Sequence, residues 1–286
     1  VENRVASDFD VRNGDFLKMG AENYKKTVNR ETIEALTAME GVKDFGKVYT
    51  YMLPEDMMTE EREDLGKILC INGEETSEHV DFDRNRMVYG FDENALKRAT
   101  VIEGMLDYEK LCTGDYVIMA GSLGDNGEYN KEAQEFRAGD VIEAEIKGTI
   151  KEYTVLAVVG LEQAQEMCYS SGGYEAIAFS ESVFLQMFPE MQTPIHCLFD
   201  AEKGAFDSLY EKVEVLSEKK NLSVLTRLTA EAEFEEIQTT FSMVGIVVSV
   251  ILGSIGILNL INVILTGVIA RQREFAAMRS IGMTKK

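Results

Sequence analysis

The chain has 286 residues, 45% of them hydrophobic, which is enough for real cores and long enough for two soluble subdomains plus an appendage. Its net charge of −21 is uneven: Arg271, Arg273, Arg279, Lys285 and Lys286 against Glu274 give residues 271–286 a charge of +4, residues 241–270 carry none, and residues 1–240 keep −25. So acidic a body repels nucleic acid and lacks the basic stripe that phosphate neutralisation needs, which excludes nucleic acid as a partner.

The first external unit reads strand, helix, strand. An extended stretch from about Arg4 to Val11 is closed by Asn13-Gly14, and a helix follows from about Asn23 to Met39. Val28, Thr32, Leu36 and Met39 share one face of it, and Gly41 stands where a helix C-terminus is normally stopped. Phe45 to Leu53, rich in β-branched and aromatic residues, reads as the returning strand.

A second unit of the same form lies near the end of the external part. Ile195, Cys197 and Phe199 alternate with His196, Leu198 and Asp200 along a strand, and a helix from about Glu202 to Glu218 turns Phe206, Leu209, Tyr210, Val213 and Leu216 inward. Leu222 to Leu228 reads as the closing strand. Two such units can share one sheet with their helices on the same side, so the expected fold class is α+β, a ferredoxin-like sheet-and-helix layer formed by residues 1–53 and 192–228.

Residues 54–191 then form an insertion, a β-rich subdomain expected on top of that sheet. It opens with the acidic stretch Glu55, Asp56, Glu60, Glu61, Glu63 and Asp64, read as a solvated loop. Short strands follow at Lys67–Ile71, Tyr116–Ala120, Val141–Ile146 and Thr154–Val159, with turns at Asp125-Asn126-Gly127, Gly139-Asp140 and Lys147-Gly148.

From Thr229 the chain becomes helical again. Glu231, Glu233, Glu235 and Glu236 stand in the first turns, where the helix dipole favours acids, and residues 229–240 read as a stalk. Between Glu236 and Arg271 lie 34 residues without a charge, densest in apolar side chains from Met243 to Leu265, whereas about 20 suffice to cross the hydrocarbon. Residues 241–270 are therefore expected to be a transmembrane helix in a lipid bilayer. Basic residues near a membrane end stay in the cytoplasm, which places residues 1–240 outside a cell membrane and 271–286 inside. Gly245, Ser249 and Gly253 recur at four-residue spacing with Gly256 one turn later, a pattern that lets helices approach closely. Asn259 and Asn262 add amides that a partner helix can satisfy.

Enzyme signatures fail on inspection. Gly41 to Val48 imitates a phosphate-binding loop, but Val48 stands where a magnesium-binding hydroxyl is needed and a helix precedes it instead of a strand, so its two glycines read as a helix stop and a turn. Asp81, Asp83 and Asn85 begin like a calcium loop, yet Arg86 holds the position of the bend and Asp92 that of the closing Glu. Of the two histidines, His79 and His196, neither stands near a nucleophile signature, and His196 reads as structural or surface. Cys70, Cys112, Cys168 and Cys197 show no CxxC spacing and read as buried small hydrophobes, with a disulfide left open. No cofactor or metal is written in the chain. It begins without Met or a signal peptide and stops inside a basic helical pattern, and so reads as a piece of a longer protein.

The stretch Asn259-Leu-Ile-Asn262 through Arg271-Gln-Arg273-Glu274-Phe275-Ala-Ala-Met278-Arg279-Ser-Ile281-Gly282-Met283-Thr284-Lys285-Lys286 resembles the signature of FtsX-like (MacB-type) permeases of bacterial ABC transporters. Val5-Ala-Ser-Asp8-Phe9, Glu103-Gly104 and Gly139-Asp140 are similar, more loosely, to that family's extracytoplasmic domain. The resemblance implies a permease without enzymatic activity of its own. Its partners would be a cytoplasmic ABC ATPase and other transmembrane helices, of the same permease or of a second copy. Such a permease couples ATP hydrolysis to export, extrusion or sensing of an extracytoplasmic substrate such as an antimicrobial peptide, an antibiotic or a lipid-linked molecule. The alternative is a membrane-anchored sensor or receptor, or a regulator of cell-wall hydrolases, without transport. Residues 271–282 would form a short cytoplasmic coupling helix that docks on the ATPase. Phe275, Met278 and Ile281 share a face there, Arg271, Arg273 and Arg279 reach acidic groups or lipid phosphates, Glu274 belongs to the signature, and Gly282 stops the helix.

Overall fold

A computed structural model describes residues 7–13, 26–51, 65–81, 86–121, 135–159 and 175–282. The chain divides into two compact units, Val1–Ala230 and Glu231–Lys286.

In the first unit every described strand belongs to one mixed sheet. Its strands are β1 (Phe9–Asn13), β2 (Val42–Thr50), β3 (Gly66–Ile71), β4 (Glu74–Asp81), β5 (Arg86–Phe91), β6 (Val101–Gly104), β7 (Tyr116–Ala120), β8 (Val141–Ile146), β9 (Thr149–Val159), β10 (Glu175–Ser180), β11 (His196–Ala201) and β12 (Leu222–Thr226). The order across the sheet is β12-β1-β11-β2-β5-β10-β7-β9-β8-β3-β4, with β6 paired to β9.

The helices are α1 (Arg30–Thr37), α2 (Glu93–Leu96), α3 (Tyr108–Leu111), α4 (Glu181–Met187), α5 (Phe206–Lys220) and α6 (Arg227–Ser280). The two expected strand-helix-strand units are present and interleaved. β11 lies between β1 and β2, and β1 lies between β11 and β12, so each helix crosses over a strand of the other unit. Phe9 stacks on Phe199 at 5.0 Å and on Phe206 of α5 at 5.0 Å, which fixes the helix-covered face of β1 and β11. The Lys220–Glu31 ion pair, 3.0 Å, ties α5 to α1 beside it.

Local chemistry explains the element ends. The Asn29 side chain accepts from Thr32 N at 3.0 Å and starts a helix at Arg30. Lys26 and Thr27 are themselves helical, so the expected Asn23–Met39 helix is interrupted at Val28 and Asn29, and Asn23 to Lys25 lie outside the described residues. The helix ends earlier than expected, at Thr37 with Ala38 as its cap, and Gly41 at φ +94° turns the chain into β2 instead of stopping the helix. Asn221 at φ 54° closes α5, one residue before β12.

Three expectations change. The inserted strands do not sit on top of the first sheet: β5 pairs directly with β2, and the sheet continues edgewise through β4. Gly46 is inside β2, not in a turn, and a Cβ there would meet Ala95 N at 2.6 Å, so glycine is what lets α2 lie against the strand. β4, β5, β6, β10 and the short helices α2, α3 and α4 are additional to the elements read from the sequence. The acidic opening 55–64, Asp83, Asn85, Asp125 to Gly127 and Cys168 lie outside the described residues.

Candidate membrane and coupling segment

α6 begins where β12 ends. The Thr226 and Thr229 hydroxyls accept from each other's backbone N–H, at 3.2 and 2.7 Å, the reciprocal geometry of a capping box with threonine in both positions. Strand therefore passes to helix without a loop, and the helix runs unbroken from Arg227 to Ser280. The uncharged stretch 237–270 covers about 50 Å at 1.5 Å per residue, more than the roughly 30 Å of hydrocarbon.

Thr239–Ser280 is long and apolar enough to cross a membrane, and among the described residues none covers it. Its hydroxyls are satisfied within the helix: Ser249 donates to Gly245 O at 2.8 Å, Ser254 to Val250 O at 2.7 Å and Thr266 to Asn262 O at 2.7 Å. The side-chain amides of Asn259 and Asn262 meet no partner among the described residues, and all six residues expected to pack helices are exposed. At 100° per residue Gly245, Ser249, Gly256 and Asn259 share one face, while Gly253 and Asn262 flank it on opposite sides. A Cβ at Gly245, Gly253 or Gly256 would meet nothing within 4 Å.

The expected short cytoplasmic helix is not separate, because residues 271–280 continue α6. Arg271, Glu274, Met278 and Arg279 are exposed on it, Arg273 and Phe275 take their places in the same helix, and Ile281 is exposed in the turn just after it. Gly282 at φ +92° donates its N–H to Arg279 O at 3.2 Å and ends the helix as its sequence position suggests.

In the first unit the polar constellations are structural in form. Lys47, from the phosphate-loop look-alike, pairs with Glu181 at 2.5 Å, and the Tyr49 hydroxyl donates to the same carboxylate at 2.8 Å. Burial first, and then Glu181, push the Tyr49 hydroxyl well above its usual range, so it stays a donor. Asp92 caps α2 by accepting from Ala95 N at 2.8 Å, and burial raises its carboxyl despite that bond and nearby Lys47. Lys47 is thus committed to the joint between β2, α2 and α4, and the described residues form no phosphate cradle around it.

His196 is fully buried, with Nδ1 2.9 and 3.0 Å from the two carboxylate oxygens of Asp10, and Arg12 stands 3.4 Å from the same carboxylate. This is a buried strand-to-strand polar contact between β1 and β11. Cys197 is buried and its thiol is pushed far up, by burial first and then by Asp10. Cys70, Cys112 and Cys197 are free thiols; of the three only Cys197 is buried as expected, while Cys70 is half-buried and Cys112 exposed. Among the described residues no group of three His, Cys, Asp or Glu is arranged to hold a metal ion.

No protein-family model matches the chain, and no curated protein matches it. Among solved structures it is similar to the periplasmic region of MacB from Actinobacillus actinomycetemcomitans, at 12% identity and a TM-score of 0.47, over 80% of this chain and 94% of that one. It is also similar to the extracellular domain of the noncanonic ABC-type transporter YknZ from Gram-positive bacteria, at 12% identity and a TM-score of 0.42, over 76% of this chain and 99% of that one.

Proposed function

We propose that the chain is the extracytoplasmic domain and following membrane helix of a permease subunit of an ABC transporter, working with a separate cytoplasmic ATPase. The observation that carries this reading is α6. One helix starts at the last strand of the external sheet, contains 34 uncharged residues, and continues into the Arg271–Arg279 signature without a break. A rigid helix of that kind transmits displacement between an external domain and a cytoplasmic partner. A soluble binding protein has no use for its exposed apolar surface.

In this reading residues 1–53 and 192–228 form the α+β platform and 54–191 the inserted β-rich part. Residues 229–240 are the stalk, 241–270 the span and 271–286 the coupling segment. Gly245, Ser249, Gly253 and Gly256 admit a neighbouring helix, and Asn259 and Asn262 give it hydrogen bonds that lipid cannot. Phe275, Met278 and Ile281 bury against the ATPase, with the arginines around them pairing to acidic groups or lipid phosphates. The external domain binds or guides the substrate.

Burying a side chain the size of Met278 is worth about 1.5–3 kcal/mol, and Met278→Asp adds the cost of a buried charge. Association with the ATPase should therefore weaken by at least about tenfold, while Gln272→Ala leaves it unchanged. Co-purification of the ATPase with each permease variant, checked for normal membrane insertion, measures this. Full association and substrate-stimulated hydrolysis in both Met278→Asp and Phe275→Asp would refute the coupling role.

A further inference from the structure

Lys147 occupies the turn between β8 and β9, at φ 48°. Its ammonium pairs with Glu190 and lies 5.1 Å from the Phe188 ring centre and 5.5 Å from that of Tyr51. The two rings are themselves 4.9 Å apart and tilted by 45°. Two aromatic faces and one carboxylate around a cation are the elements of an ammonium cage.

The cage is drawn from separate parts of the fold. Tyr51 follows β2, Phe188 and Glu190 follow α4, and the lysine comes from a turn five strands away from β2 in the sheet order. At about 4.8 Å per strand that separation is roughly 24 Å along the sheet. Side chains that touch across it require the sheet to curl, so the lysine closes the curl by filling the cage. Lys147 N donates to Leu65 O at 3.0 Å, one step beyond the Gly66–Ile146 pair, so the β3–β8 ladder holds the backbone of the turn and the cage engages the lysine side chain alone.

The lysine is replaceable. Lys147 and Glu190 retain side-chain exposures of 38% and 40%, so a rotamer change opens the cage to solvent without unfolding. Phe188, by contrast, is fully buried in the docked state. Lifting the lysine uncovers a ring face beside a carboxylate, in a body whose charge of −25 concentrates cations around it.

We propose that Tyr51, Phe188 and Glu190 form a binding site for an alkylammonium group, filled in this state by the chain's own Lys147 and taken over by an external ammonium ligand that displaces the lysine side chain. The site goes beyond the transport reading by naming the chemistry of an external ligand, and it stands whether or not an ATPase partner is found.

The test uses the full chain in nanodiscs with tetramethylammonium as probe and sodium chloride at equal ionic strength as the screening control. Saturation-transfer NMR from aromatic protons to the probe methyls reads binding, and the ring-current shift of the Lys147 ε-methylene protons reads whether the lysine is in the cage. Lys147→Ala, which removes the resident cation, should bind the probe about fivefold more tightly than the parent chain. Lys147→Ala/Glu190→Gln should lose that gain. In the parent chain the probe, and not sodium, should move the Lys147 ε-methylene resonance toward its ring-free position. Equal affinity in the parent and Lys147→Ala chains, or an equal shift of the Lys147 resonance with sodium and probe, would overturn the proposal. Near-ultraviolet circular dichroism confirms that each variant is folded.

Discussion

Replacing Gly90 by alanine tests how the helices are seated on the extended part of the sheet. Gly90 lies in β5, and a Cβ built there would stand 2.5 Å from Cγ and 2.6 Å from Cβ of Phe184, about 1 Å inside ordinary carbon contact. Phe184 is fully buried, 4.9 Å from Phe188 and 6.1 Å from Tyr49 between ring centres, so its ring has nowhere to retreat. Overpacking of this kind costs about 1–3 kcal/mol, offset by about 0.5–1 kcal/mol because alanine loses less backbone entropy than glycine. The net expectation is a loss of about 1–2 kcal/mol.

Phe184→Leu on its own removes ring contacts and destabilises as well, but it also clears the space that the methyl group added by Gly90→Ala needs. The double variant should therefore be more stable than the sum of the two single losses predicts, by about 1 kcal/mol. All eleven tyrosines precede residue 231, so urea unfolding followed by tyrosine near-ultraviolet circular dichroism in detergent reports on that unit and not on the membrane helix. Additive losses in the double variant, or no loss at all in Gly90→Ala, would refute the close seating of α4 on β5.

Residues 1–228 expressed alone should yield a soluble, folded, acidic domain, because the uncharged run is removed with α6. Gel filtration and circular dichroism decide this, and an aggregated product would place the domain boundary elsewhere. Asp92 supplies a pH dependence. Its folded carboxyl is raised, so the unfolded state releases the proton first and stability falls as pH climbs from the ordinary carboxylate range through the raised folded value. Asp92→Asn keeps a capping side chain, so its urea midpoint should equal or exceed the parent's at pH 7, with the difference vanishing below about pH 4.

The parts of the fold that were legible in the sequence were those with a period. α1 and α5 showed helical spacing at Thr32, Leu36 and at Leu209, Val213. β11 and β12 could be read because a strand-like run stood on each side of a helix. β5 and β10 were missed for a physical reason: Val88 to Phe91 and Ile177 to Ser180 are buried on both faces, so polar and apolar residues do not alternate. α2, α3 and α4 are only 4–7 residues long, too short for a period, and their caps Asp92, Asp107 and Ser180 are evident only in the structure. The curl that brings Lys147 to Tyr51 depends on strand order, which no local pattern encodes. The membrane segment was readable because absence of charge over 34 residues needs no tertiary information. Which face of it meets a neighbour is carried only by Gly245 to Asn262, and those side chains are exposed around the isolated helix.

The central claim is a single crossing that leaves the acidic body outside and the Arg271–Arg279 segment inside, where an ATPase can reach it. Cysteine accessibility in intact cells measures it most directly. In a background lacking the native cysteines, a thiol introduced at exposed Glu218 should react with an impermeant reagent, while one at Gln272 should react only after the cells are opened. Labelling of the Gln272 position from outside, or equal shielding of both positions, would contradict the account.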